Sequence, residues 1–156
     1  MISDIQNVKL LSKNLENIYL GYSMINDEAL NIVSKNLKKL NIMLLFRTSI
    51  TSQGIIEFSQ KCNLETLASE KNYYINFNDL IKNANLKNLK HLILFNINIT
   101  EEDIILLSEK CQNLIYIYLH CNITDKNIII LKEKFKRLTK FNKINDTVTM
   151  EDESIK

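Results

Sequence analysis

The sequence predicts an α/β solenoid of about six repeats, each 24–25 residues long. The first observation is a column of leucines at this spacing: Leu15, Leu40, Leu64, Leu89, Leu114 and Leu138. The second is an apolar residue three positions after each leucine: Ile18, Met43, Leu67, Leu92, Ile117 and Phe141. The third is a residue suited to capping a helix, directly after a further apolar residue: Asn26, Thr51, Asn76, Thr100, Thr124 and Thr149. Columns that keep one register in this way indicate stacked units, each burying its apolar face against its neighbours.

Each unit is predicted to begin with a short strand. In the fourth unit Leu92 and Leu94 lie on one face, because strand side chains alternate with a period of two. His91, Ile93 and Phe95 then lie on the opposite, outward face. Strands of successive units are expected to lie side by side in one parallel sheet.

A helix of about ten residues is predicted to follow each strand. Thr100 and Asp103 resemble a capping box, which marks a helix start. Ile104, Leu107 and Cys111 then recur at helical spacings of three and four. Because strands lie closer together than helices, the stack is expected to curve, with strands on the concave face and helices on the convex face.

The third unit departs from the pattern. Ser69 and Asn83 replace large apolar residues of the other units, and one additional residue precedes Ile75. We therefore expect the stack to be distorted there, with Tyr73 and Tyr74 filling the gap.

The repeat pattern also suggests where the solenoid begins and ends. We predict a truncated helical unit in residues 1–14, the solenoid in residues 15–150 and a polar tail in residues 151–156. Terminal units of solenoids usually need a polar outer face. Since no separate capping segment is apparent, we expect either that chains associate end to end or that the repeats belong to a longer array.

Composition limits the classes of function. A net charge of +2 is too small to predict a polyanionic partner. The longest apolar run, residues 114–119, is far shorter than the roughly 20 residues of a membrane helix. With two glycines and no proline, asparagine is expected to take left-handed turn positions.

Three cysteines without a CxxC pair are typical of a reducing compartment, and we expect an intracellular, cytoplasmic location. Cys62 and Cys111 occupy the helix-end position that Leu37 and Phe135 hold in other units. They are therefore predicted to be small buried hydrophobes and not metal ligands.

No enzymatic activity, catalytic residue, cofactor or metal site is predicted. Gly21 and Gly54 are isolated, so no glycine-rich phosphate loop exists, and no nucleophile elbow is present. His91 and His120 are four positions apart on adjacent predicted strands, a separation of roughly 13 Å at about 3.3 Å per residue. That distance is too long for a shared metal ion.

Residues 114–125 show the repeat motif most clearly, as Leu-x-x-Ile-x-Leu-x-Cys-x-Ile-Thr-Asp. This motif resembles that of leucine-rich repeat proteins and is similar to the cysteine-containing subclass found in F-box substrate receptors of ubiquitin ligases. The resemblance covers roughly residues 15–150. It implies a right-handed solenoid that binds proteins on its concave face. No F-box segment precedes the repeats, so a ligase role would require another chain.

The candidate partner-binding residues are Arg47 and the outward-facing side chains of the strands: Tyr19, Ile42, Leu44, Phe46, His91, Ile93, Phe95, Tyr116, Tyr118 and His120. Large apolar patches often mark partner sites, and aromatic residues and arginine are favoured anchors. Strand propensity is the alternative explanation, since it enriches isoleucine, phenylalanine and tyrosine by itself. Thr66, Ala68 and Glu70 of the third unit are expected to divide the surface into two patches.

The predicted function is a non-enzymatic protein–protein interaction module, with a protein partner and neither a small-molecule substrate nor a membrane. One alternative is a substrate-recognition subunit of a ubiquitin ligase that acts through another chain. Another is a weak nucleic-acid binder that uses the basic residues near the end of the repeats: Lys132, Lys134, Lys136, Arg137, Lys140 and Lys143. A solvated helix face is the ordinary explanation of such a run, so nucleic acid is the least favoured partner.

Overall fold

The computed structural model describes residues 13–21, 24–95, 97, 99–120, 123–138, 140–143 and 146–149. The strands within these residues are β1 (Asn17–Gly21), β2 (Ile42–Phe46), β3 (Thr66–Glu70), β4 (His91–Phe95), β5 (Tyr116–His120), β6 (Lys140–Lys143) and β7 (Asp146–Thr149). The helices are α1 (Asp27–Asn36), α2 (Ser52–Lys61), α3 (Phe77–Asn83), α4 (Glu101–Lys110) and α5 (Asp125–Lys134). Across the described ranges, no helix combines the length and the apolar character that crossing a membrane requires.

The strands form one sheet in the order in which they occur in the chain. Strands β1 to β6 are parallel, and one helix lies between each consecutive pair. The register sets equivalent residues side by side, for example Leu92 beside Ile117. Each helix also lies against the next one. The protein is therefore an α/β protein whose parallel strands alternate with helices, an arrangement compatible with a repeat-like solenoid.

Strand and helix columns meet in one apolar core. The second and fourth residues of β2, β4 and β5 are buried, while the first, third and fifth are half-buried. Leu30, Ile55 and Ile104, at the first apolar position of their helices, are fully buried in the same core. Each such side chain contributes about 1.5–3 kcal/mol relative to an exposed one. The predicted strand alternation is confirmed for these three strands.

Every described helix begins after its predicted cap residue. The side-chain oxygen of that residue accepts a hydrogen bond from a first-turn backbone N–H in each case: Asn26, Thr51, Asn76, Thr100 and Thr124. Thr100 and Asp103 form the complete capping box. Such caps satisfy N–H groups that the helix itself leaves without an acceptor, and each typically stabilises by about 1 kcal/mol.

Hydrogen bonds also join helix starts of neighbouring units, and we call these contacts the helix-start ladder. Asp27, the first residue of α1, accepts from the backbone N–H of Thr51 at 2.8 Å and from its hydroxyl at 2.6 Å. Further contacts of the ladder are Ser52 with Asn76 and Asn78 with Asp103. The helix starts are therefore held by adjacent units as well as by their own caps.

Gly54, the third residue of α2, makes room for this ladder. A Cβ at Gly54 would overlap the carboxyl group of Asp27. We expect Gly54→Ala to lower the free energy of unfolding because of this overlap. In an unobstructed helix the same substitution would raise that free energy by about 1 kcal/mol, since alanine has the higher helix propensity. Urea denaturation would measure the change. In an Asp27→Ala background the same substitution should stabilise, and stabilisation in both backgrounds would contradict the close contact.

Two cysteines lie in the core, as predicted. Cys62 and Cys111 are 5% and 0% exposed, and both are free thiols. Leu37 and Phe135, at the same position in other units, are buried as well. Burial raises the pKa of the Cys62 thiol, and it raises the pKa of the Cys111 thiol to about 12. Cys121 lies outside the described residues.

The third unit keeps its place in the sheet but has a shorter helix. Strand β3 remains in register with β2 and β4. Helix α3 has seven residues, whereas each other described helix has ten. The expected distortion is therefore confined to the helix and to the loop before it.

The expectation that Tyr73 and Tyr74 fill this gap is wrong. Both side chains point to solvent and are 86% and 65% exposed. The preceding residue, Asn72, anchors the loop instead. Its side-chain oxygen accepts from the backbone N–H of Thr48 at 2.8 Å and from the Thr48 hydroxyl at 2.9 Å. A cleft of about 330 Å³ is left between this loop and the start of α4, beside Phe95.

The last strands also differ from the repeat pattern. Val148 and Thr149 align with helix-start positions, but they lie in β7, which pairs antiparallel with β6. Two residues separate these strands, a length typical of a β-hairpin. Thr149 aligns with the helix caps of the other units but is a strand residue and caps no helix among the described residues. Lys13 and Asn14 lie in a turn, while residues 1–12 and 150–156, which include most of the predicted truncated unit and the polar tail, lie outside the described residues.

Candidate protein-binding face of the sheet

The outward-facing side chains of β1 to β5 form the candidate site, which we call the sheet face. They occupy the first, third and fifth positions of each strand. All of the strand residues predicted to bind a partner belong to it: Tyr19, Ile42, Leu44, Phe46, His91, Ile93, Phe95, Tyr116, Tyr118 and His120. Most of these side chains are half-buried, and Tyr19 is 58% exposed.

One aromatic contact lies at the β1–β2 end of the sheet face. The ring centroids of Tyr19 and Phe46 are 5.4 Å apart and their planes are inclined by 31°. The Tyr19 ring lies over Gly21, where a Cβ would come within 2.5 Å of the Tyr19 hydroxyl oxygen. The absence of a side chain at Gly21 therefore lets the ring lie along its own strand and reach Phe46.

A second aromatic group lies on β4 and β5. The ring of Phe95 contacts those of Tyr118 and His120, with centroid distances of 5.1 and 5.5 Å. His91 and Tyr116 form a looser pair at 6.4 Å. Tilted pairs at these distances suit the charge distribution of aromatic rings. The contacts connect rings on adjacent strands and limit the rotamers that each ring can adopt.

Strand β3 separates the two aromatic groups. Its outward residues are Thr66, Ala68 and Glu70, and Ala68 is buried although it points outward. The larger side chains of Leu44 and Ile93 stand beside it in register on the neighbouring strands. The aromatic contacts of the face therefore fall on either side of a strand with small or polar outward residues.

Two basic residues follow β2 and β3 in a left-handed conformation. Arg47 has φ 50° and Lys71 has φ 55°, which is uncommon for residues other than glycine. The expectation that asparagine takes such turns is wrong at these two positions. The backbone N–H of Arg47 donates to the carbonyl of Glu70 at 3.0 Å, which continues the sheet contact past the strand end. Lys71 forms an ion pair with Glu70 at 3.3 Å.

The two histidines lie apart on the sheet face. His91 is in register with Tyr116 and His120 with Phe95, so four positions along the strands separate them. Nδ1 of His91 is 3.1 Å from the hydroxyl oxygen of Thr66. In the described part of the chain, no group of three His, Cys, Asp or Glu side chains is arranged to hold a metal ion.

Four of the basic residues near the end of the repeats lie on helix α5 or directly after it, and Lys140 and Lys143 lie in strand β6. Lys132 and Lys134 are exposed in the last turns of α5, and Lys136 and Arg137 are exposed directly after it. A guanidinium N–H of Arg137 donates to the side-chain oxygen of Asn113 at 2.9 Å. The side chains of residues 140 and 143 lie outside the described residues.

Sequence reasoning missed the cleft beside Phe95. It arises from the exposed loop after β3 and from the short helix α3, neither of which the column pattern specifies. The additional residue before Ile75 and the polar Asn83 were the available signals, and they indicated an irregularity without its shape.

Neither the models of protein families nor the sequences of curated proteins match this chain.

Proposed function

We propose that this protein is a binding module of the leucine-rich repeat type. In this proposal the chain is a right-handed solenoid of about six repeats, and the sheet face is its concave surface. A protein partner binds there, and no chemical reaction is catalysed.

The observation that carries the proposal is the set of large side chains on the outward side of a regular sheet. A strand face turned to water usually carries polar residues, whereas this one carries rings and aliphatic chains on four of its five strands. Tyr19 leaves more than half of its surface exposed, at 58%. Apolar surface patches are typical of partner sites, and tyrosine is among the residues that most often dominate binding energy.

The ring contacts support a preorganised surface. The ring of Phe95 contacts those of Tyr118 and His120, and the ring of Tyr19 contacts that of Phe46. Ordering a flexible side chain on binding costs about 0.5–1.5 kcal/mol, and rings that are already held lose less of this entropy. The parallel register of β1 to β5 fixes the spacing of the rings before a partner arrives.

A capture experiment with matched variants tests the proposal. The Ile93→Asp/Tyr118→Asp double variant places two carboxylates on the sheet face, where a partner would have to desolvate them. Ile129→Asp is the control, since Ile129 is an exposed apolar residue of α5. We expect partners captured by wild type and by the control to bind the double variant at least about tenfold more weakly.

Retention of every partner by a folded double variant would refute binding at the sheet face. Equal weakening by the Ile129→Asp control would also refute it, because that side chain lies on a helix. Partners released by nuclease treatment would point to nucleic acid instead, as would a steep decline of binding with added salt.

A further inference from the structure

The cleft beside Phe95 lies at the carboxyl ends of β3 and β4, between the loop after β3 and the start of α4. Its volume of about 330 Å³ is within the range of about 300–1,000 Å³ typical of ligand sites. Apolar side chains contribute much of its lining: Ile75, Phe77, Leu94, Phe95 and Ile97. A chemical group bound in the cleft therefore contacts these apolar side chains, which we call the apolar wall.

A buried carboxylate also lines the cleft. Asp103 is 4% exposed, and one of its oxygens accepts from the backbone N–H and the hydroxyl of Thr100, both at 3.0 Å. The other oxygen accepts from the side-chain amide of Asn78 at 2.6 Å. A carboxylate offers about four acceptor sites, and the described residues fill three of them, which leaves one on the oxygen next to Asn78. Asn78 also lines the cleft, and its side-chain oxygen is a further acceptor beside this carboxylate.

The carboxylate is held in its charged form. Burial alone would raise the pKa of Asp103, but hydrogen bonds from Thr100 and Asn78, together with the charge of Lys82, lower it below its usual value. Among the described lining residues Lys71 is the one basic residue, and it is ion-paired with Glu70. The cleft thus combines an apolar wall with an anion that is largely removed from water.

We propose that the cleft receives a lysine or arginine side chain of the protein partner. The cationic head donates hydrogen bonds to Asp103 and Asn78, and the methylene stem lies along the apolar wall. Long basic side chains suit such a site because they join an apolar stem to a charged head. The inference rests on the proposed function and extends it, since Phe95 belongs both to the cleft and to the sheet face.

Other occupants fit the cleft less well. An anion would meet the charge of Asp103 at close range. A purely apolar group would offer no donor to the acceptor site of Asp103 that the described residues leave unfilled, which is costly in a site of low polarity. A cation that also donates hydrogen bonds compensates the charge of Asp103 and supplies donors to the acceptors of Asp103 and Asn78.

Peptide titration of the full chain tests this inference without knowledge of the partner. The probe is the tripeptide acetyl-Gly-Arg-Gly-amide, and its control carries citrulline, which has nearly the shape of arginine but no charge. Binding is followed by the NMR shifts of the Asn78 side-chain amide and the Asp103 backbone amide, up to millimolar peptide. We expect saturable shifts with the arginine peptide and at least about tenfold weaker binding of the citrulline peptide.

Variants locate the binding within the cleft. Asp103→Asn should weaken the arginine peptide by at least about tenfold, because the charge-assisted bonds are removed. Asn78→Ala leaves the capping box of α4 intact and should weaken binding of the arginine peptide several-fold. It tests the cleft even if Asp103→Asn fails to fold. Asp79→Asn removes an equal charge from an exposed position in the first turn of α3 and should change affinity less than about twofold.

Equal binding of the two peptides would overturn the inference, and so would equal weakening in the Asp79→Asn control. Shifts confined to residues outside the cleft would do the same. Because the probe is a free peptide, failure here is distinguishable from failure of the sheet face. A chain that captures partners through Ile93 and Tyr118 but does not bind arginine would refute only the cleft.

Discussion

Replacement of Leu92 by alanine is expected to lower the free energy of unfolding by about 2–5 kcal/mol. Leu92 is 1% exposed and lies in register between Leu67 and Ile117, which are also buried. Hydrogen-bonded strands on both sides hold these neighbours at a fixed spacing, so the core cannot easily close over the space that the substitution leaves. Urea denaturation followed by circular dichroism would measure the change.

The adjacent residue provides a matched control for this prediction. Ile93→Ala removes the same number of carbon atoms as Leu92→Ala, but Ile93 lies on the sheet face and is half-buried. Its destabilisation should therefore be clearly smaller than that of Leu92→Ala. Equal effects, or a larger effect at Ile93, would show that the two faces of β4 are assigned the wrong way round.

Alkaline pH is expected to destabilise the protein through Cys111. Burial raises the pKa of this thiol to about 12, from the value of 9.0 that it has in an open chain. Above pH 9 the unfolded chain therefore releases a proton that the folded chain retains, and stability falls as the pH rises towards 12. Each pH unit of this window corresponds to about 1.4 kcal/mol, which gives a decrease of roughly 2–3 kcal/mol by about pH 11.

The variant Cys111→Ala isolates this effect from the titration of lysines and tyrosines. The difference in unfolding free energy between wild type and variant should be constant below about pH 8 and should then shift by the predicted amount in favour of the variant. Parallel pH profiles of the two proteins would show that the Cys111 thiol ionises as readily in the fold as in the open chain.

Sequence reasoning succeeded where local chemistry repeats. Five of the six residues aligned as helix caps, Asn26 to Thr124, do cap helices, because capping needs only one side-chain oxygen beside the first turn. The burial of Cys62 and Cys111 was predictable because Leu37 and Phe135, which are apolar, occupy the same position in other units. These inferences depend on a few neighbouring residues in a unit whose pattern recurs.

Sequence reasoning failed where one unit forms hydrogen bonds that the other units do not repeat. Tyr73 and Tyr74 were expected to fill a gap, but Asn72 ties the loop to Thr48 of the preceding unit and turns both rings to solvent. The cap residue Thr149 lies in a strand of a hairpin instead. Alignment of columns carries no information about such contacts between particular side chains.

The candidate site was predictable as a face but not in its detail. Alternation along β4 and β5 placed His91, Ile93 and Tyr118 outward before their neighbours were known. The ring contacts of Phe95 depend on rotamers, which the sequence does not specify. The cleft depends on where the loop after β3 runs, and that was the part of the chain predicted wrongly.

The helix-start ladder makes the order of each of the helices α1 to α4 depend on that of its neighbours. Asp27 of α1 accepts a hydrogen bond from Thr51, the cap residue of α2. In the same way Asn78 of α3 donates to Asp103 in the first turn of α4. When one helix melts, the adjacent helix start is deprived of a hydrogen-bond partner, and the apolar packing between the two helices disappears as well. Thermal denaturation should therefore proceed in large blocks, and amide protons of neighbouring helices should exchange with solvent at similar rates.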